Sequence, residues 1–190
     1  MMTKRNSTVG QTYRLTAYGL MTALAFVANY IRFPFLGSQI AVSNALCVIC
    51  GLILGPWAGF VTAGIGNLLY DLIAGYGLEG LITLVSKGTI ALIAGAIGAG
   101  ALRRSRLEKK EYARLVLAGA AGAAAYIALY MLKTYVMGVT VKGLTAEGAV
   151  ASMGLKLPAS VINAVFATVA APILTSALHQ PLHRMGVLSK

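Results

Sequence analysis

Apolar residues run along this chain in six blocks separated by short polar breaks, at about 15–31, 40–54, 57–75, 79–102, 113–137 and 156–178. The third block stays apolar for about 19 residues, close to what a helix rising 1.5 Å per residue needs to cross a ~30 Å hydrocarbon core. The breaks carry turn chemistry. Gly55-Pro56 and Gly75-Tyr76-Gly77 read as tight reversals, and Pro34 and Gly37 make Arg32–Gln39 a loop. The stretch Gly138–Gly154 reads as a mixed loop with room for a short helix from Ala146 to Ser152, and Pro158 falls in the first turn of the last helix. The pattern predicts a single-domain all-α membrane protein, residues 1–190, with six transmembrane helices.

Composition agrees with that class: 58% of the 190 residues are hydrophobic and 11% are charged, and the mean hydropathy is +0.78. The net charge of +11 raises the question of nucleic acid, but the placement of the charges argues against it. Lys4, Arg5, Arg14, the six basic residues of 103–114, Arg184 and Lys190 fall on one side of a six-span arrangement, and Arg32, Lys142 and Lys156 on the other. That bias predicts cytoplasmic N and C termini. The opening MMTKRNSTVGQTYR lacks a cleavage site behind a short apolar core, so it reads as a cytoplasmic leader and not a signal peptide.

Polar residues inside the blocks cluster by depth. Counted along the helices, Lys87 and Asn67 lie about 12 Å below the outer ends, Tyr130 and Asn163 about 10 Å, and Asp71 and Lys133 about 6 Å. All six fall in the outer half, with Asn44 at the start of the second helix and Tyr126 one turn before Tyr130. Such clustering predicts a pocket opening outward and closed below by small residues. Lys87 is too deep to snorkel to the headgroups, and Asp71 reads as its neutralising partner. For Lys133 and Lys156 snorkelling stands beside a pocket role, and Tyr76 and Tyr135 read as interfacial belt residues.

Other features carry less. Cys47-Val-Ile-Cys50 sits inside an apolar helix and reads as two small buried hydrophobes. Pro181 is expected to interrupt the helix between His179 and His183, which argues against a metal site. No Walker loop, HExxH, GxSxG or carboxylate pair is present, so ATPase and hydrolase chemistry is not encoded, and no cofactor is expected.

The order of segments GLMTALAFV, GLILGPWAGF, AGIGNLLYDLIAGY and SKGTIALIAG, with the polar start of the second helix, resembles the substrate-binding S component of energy-coupling factor (ECF) transporters. The resemblance covers nearly the whole chain and is closest to the vitamin-uptake branch that includes riboflavin, folate, pantothenate, cobalamin and hydroxymethylpyrimidine binders. It implies a protein of the bacterial cytoplasmic membrane that binds a vitamin at its outer face and topples in the bilayer to release it inside. ATP hydrolysis would fall to two ATPase subunits joined by a transmembrane coupling protein. The candidate substrate-binding residues, taken from the depth clustering above, are Asn44, Asn67, Asp71, Lys87, Tyr126, Tyr130, Lys133 and Asn163. The implied docking face for the coupling protein is Gly19 and Ala23, whose small side chains, taken by themselves, read first as ordinary internal packing.

Two alternatives stand beside this reading. An autonomous facilitator or small secondary transporter needs a polar path through the inner half, where none is evident. A membrane enzyme needs paired catalytic groups at one depth, and Asp71 with Lys87 is the only candidate.

Overall fold

The computed structural model describes the backbone of residues 2–35, 38–77, 79–104 and 107–184, and side chains from residue 14 to 181 within those ranges as well as Thr12. The expectations resting on Gly37, Arg106 and Lys190, and on the side chains of Lys4, Arg5, His183 and Arg184, lie outside the described residues. Six helices are present among them: α1 Met2–Val27, α2 Ser43–Leu54, α3 Pro56–Ile73, α4 Glu79–Leu102, α5 Lys109–Thr140 and α6 Ala146–Arg184. Glu79–Leu102, Lys109–Thr140 and Ala146–Pro181 are each long and apolar enough to cross a membrane.

Several expectations need correction. The basic leader is helical from Met2, continuous with α1, and a short 3₁₀ turn follows at Ala28–Tyr30. The expected loop after it is a β-hairpin, β1 Arg32–Phe35 against β2 Ser38–Ala41, antiparallel, with Arg32 opposite Ala41 and Phe35 opposite Ser38. Proline is tolerated in a strand that pairs on one side only, as Pro34 does here. Helix α5 starts before residue 113 and ends after 137.

The largest difference is at α6, which begins at Ala146 and absorbs the segment expected to be a loop. Thr145 caps it, its Oγ1 accepting from the Gly148 N–H at 3.2 Å, and Glu147 favours the first turn through the helix dipole. Pro158, Pro172 and Pro181 therefore lie inside one helix and none ends it, as is tolerated where neighbouring groups satisfy the freed backbone. Pro181 does not break the chain between His179 and His183. His179 Nε2 lies 2.8 Å from the carbonyl oxygen of Arg104, tying the far end of α6 to the chain that leaves α4.

Helix α2 is the centre of the bundle. Of its 12 residues, 10 are buried, because α3, α4 and α6 surround it and α1 and α5 touch it. A helix apolar all round is stable only in such a place. Its packing is backbone against backbone. A Cβ on Gly59 would stand 2.6 Å from the Cα of Gly51, and one on Gly95 would stand 2.7 Å from the Gly51 carbonyl oxygen. Gly55, at φ 89°, then turns the chain into α3 with Pro56 at its first position. Below Asn44 the interior includes Ala45, Val48, Leu52, Ile90, Ala94 and Ala171, and the buried hydroxyls of Thr62 and Thr175 bond back to carbonyls of their own helices.

Gly51→Val places a branched side chain where a Cβ already meets the backbone of Ala91. It is expected to destabilise the fold by at least about 2 kcal/mol, read as a shifted denaturation midpoint in mixed micelles. An unchanged midpoint would show that α2 and α4 have room to separate.

Candidate functional site

One end of the bundle holds a cavity of about 460 Å³, within the size range of small-molecule sites. It lies above the amino end of α2 and beside the hairpin, and the far ends of α3 and α5 and the near ends of α4 and α6 wall it. Each wall follows from helical spacing. Thr83, Ser86 and Lys87 come from one face of α4, Tyr126, Tyr130 and Lys133 from α5, and Lys156, Ser160 and Asn163 from α6.

Lys87 is 7% exposed. Its Nζ donates to Asn44 Oδ1 and, at 3.2 Å, to Ser43 Oγ. The same nitrogen stands 4.8 Å from the centroid of the Tyr126 ring, and that ring stacks on Tyr130 at 5.6 Å and 18°. Three neutral groups thus solvate one ammonium. The expected Lys87–Asp71 pair is not formed: among the described residues no ion pair joins them. Asp71 lines the cavity from the end of α3 without reaching Lys87, because the amino end of α2 supplies nearer acceptors.

Lys133 pairs with Glu79 across the cavity at 2.9 Å, and the Lys156 ammonium stands 5.8 Å from the Tyr130 centroid. Both lysines line the cavity. Arg32, from the hairpin, donates to Gln39 Oε1 at 2.6 Å and to the Asn29 carbonyl at 2.5 Å, and lies 4.2 Å over the Tyr70 ring.

Asn163 joins α6 to the hairpin. Its Oδ1 accepts from the Ala41 N–H at 2.8 Å and its Nδ2 donates to the Gln39 carbonyl at 2.8 Å, so one amide satisfies two groups of β2. Ser38 adds a hydroxyl contact to Tyr130 at 3.4 Å. Asn67 is the exception among the expected site residues. It is fully buried outside the cavity lining, accepting from Asn29 Nδ2 at 2.9 Å and donating to the Ala63 carbonyl at 2.8 Å and to Cys47 Sγ at 3.4 Å. Its contact with Asn29, which does face the cavity, places it one layer behind.

Seven of the eight residues singled out from the sequence therefore surround one space: Asn44, Asp71, Lys87, Tyr126, Tyr130, Lys133 and Asn163. Sequence reasoning did not include Asn29, Gln39, Glu79 or Tyr76 in that set. Asn29 precedes, and Gln39 belongs to, a hairpin that was not foreseen. Tyr76 was assigned to the lipid interface by position alone, and Glu79 follows Lys133 only once α4 and α5 are placed side by side.

The architecture defines a multi-pass membrane protein with a polar chamber at one end of an apolar bundle. The family described as ECF-type riboflavin transporter, S component, matches residues 10–180, and the chain belongs to that family. A solved structure described as the S component of a bacterial ECF transporter shares the fold, with a TM-score of 0.66 at 20% identity, covering 92% of this chain and 98% of that one. Comparison with curated proteins finds no match. The family is one of transporter components and not of enzymes.

Asn163→Ala removes both of its hydrogen bonds to β2. Breaking the pair is expected to cost about 1–3 kcal/mol locally, read as faster hydrogen exchange at Gln39 and Ala41. Unchanged protection there would show that the hairpin is rigid without α6.

Proposed function

We propose that this protein is the high-affinity substrate-binding subunit of an ECF-type importer for a vitamin or related micronutrient. The observation that carries the reading is a polar chamber closed below by an apolar floor, in a chain of the S-component family. In this reading all six helices span the bacterial cytoplasmic membrane, both termini are cytoplasmic and the chamber faces outward. The charges support that orientation, since Arg103, Arg104, Lys109, Lys110 and Arg114 gather at the end opposite the chamber.

The ligand is held by Asn44, Asp71, Lys87, Tyr126, Tyr130 and Lys133, under a hairpin fixed by Asn163. Asn67 contributes by holding Asn29. Riboflavin, named by the family, is one candidate ligand. A space of about 460 Å³ suits a vitamin-sized molecule. Release inside follows rotation of the whole body in the bilayer. The apolar cluster below Asn44, where Thr62 and Thr175 bond only to their own helices among the described residues, favours this over rocking of two halves. It equally disfavours an autonomous facilitator.

Rotation needs a partner to drive it: a transmembrane coupling protein carrying two ATPase subunits. Gly19 and Ala23 supply the docking face. Both are exposed on α1, and nothing lies within 4 Å of where a Cβ on Gly19 would stand. That exposure supports an external contact over internal packing, because small residues let a second helix approach closely.

Replacing Gly19 and Ala23 together by Trp is expected to abolish co-purification with the coupling protein and its ATPases. Folding of the isolated protein, followed by gel filtration and melting temperature, is expected to stay unchanged. Normal assembly by the double variant would move the docking face elsewhere. If the wild type itself fails to assemble, the S-component role is lost.

A further inference from the structure

The charge around the chamber does not balance, and the imbalance concerns the ligand. Four cations line it, Arg32, Lys87, Lys133 and Lys156, against two carboxylates, Asp71 and Glu79. Glu79 is engaged by Lys133. Arg32 and Lys156 rest against aromatic rings nearer the hairpin and the near end of α6. Lys87 differs from these three in depth. It is buried at the amino end of α2, and among the described residues its direct contacts are neutral, Ser43, Asn44 and the face of Tyr126, while Asp71 in the same chamber acts on it through space without an ion pair. The amino end of a helix is itself positive, so α2 adds to the field of the ammonium and does not offset it.

We propose, resting on the substrate-binding role above, that the chamber takes an anionic ligand, a carboxylate or phosphate whose negative group sits against Lys87 at the floor. An unneutralised ammonium in a low-dielectric site is costly, and a negative oxygen beside it supplies a charge-assisted hydrogen bond where the neutral acceptors supply only dipoles. The apolar body of such a ligand would lie along the stacked Tyr126 and Tyr130 rings. The inference separates this chain from a strict riboflavin binder, since riboflavin carries no negative charge at neutral pH.

The test is titration calorimetry of the purified full-length protein with matched acid and neutral probes: pantothenate and pantothenol, nicotinate and nicotinamide, flavin mononucleotide and riboflavin. Two variants are measured alongside. Lys87→Met removes the charge, and Asn44→Asp neutralises it in place with almost no change of shape. In at least one pair the acid is expected to bind at least about tenfold more tightly than its neutral partner. Either variant is expected to reduce that preference below about threefold. Should Lys87→Met fail to fold, Asn44→Asp carries the same prediction.

A neutral probe that equals its acid in every pair overturns the proposal. So does an acid preference that survives both variants, and so does the absence of binding by every acid at about 1 mM. Tight riboflavin binding indifferent to Lys87 would remove the anionic assignment and leave the S-component role standing. That role fails separately, through loss of assembly with the coupling module.

Discussion

The central helix of this bundle is too short for the space it occupies. At 12 residues, α2 extends about 18 Å, against ~30 Å of hydrocarbon. Its lower part is packed backbone to backbone through Gly51, Gly59 and Gly95, which fixes its position and leaves no room for a channel beside it. The shortfall therefore appears at one end only. Above Ser43 the longer helices continue as walls around a space that no central helix fills, and that space is the chamber.

The hairpin answers the same constraint. The chain must leave α1 at the upper end and return to begin α2 well below it, and β1 and β2 occupy that descent. Strand groups there need hydrogen-bond partners. The ladder between the strands supplies some, and Asn163 on α6 supplies two more. One polar side chain on a distant helix thus serves the roof of the site.

Beginning α2 inside the bundle also decides what Lys87 can do. A lysine facing lipid at that depth would carry a large penalty, and one facing the start of a helix finds Ser43 and Asn44 within reach. These groups solvate the ammonium without cancelling its charge. On the proposed reading, such a site selects through what it leaves unpaired, because a ligand of the wrong sign gains nothing from the floor.

Much of this was legible in the one-dimensional pattern. The apolar blocks located all six helices, and the end of α4 at Leu102 and the reversal at Gly55-Pro56 were placed closely. Helical spacing puts Tyr126 with Tyr130 and Lys133, and Ser160 with Asn163, because side chains three and four apart share a face. Prolines misled: Pro158 was placed in the first turn of its helix and Pro181 was expected to interrupt one, yet α6 runs through both. Thr145 with Glu147 held the true start of α6 in plain view. The hairpin was missed because Arg32–Phe35 and Ser38–Ala41 are four residues each, too short for alternation to stand out beside a proline. The partner of Lys87 was beyond the sequence altogether. Depth counting put Asp71 near it, but which acceptor lies within 3 Å or so depends on how α2, α3 and α4 rotate against one another, and that is settled by packing at glycines far from the charge.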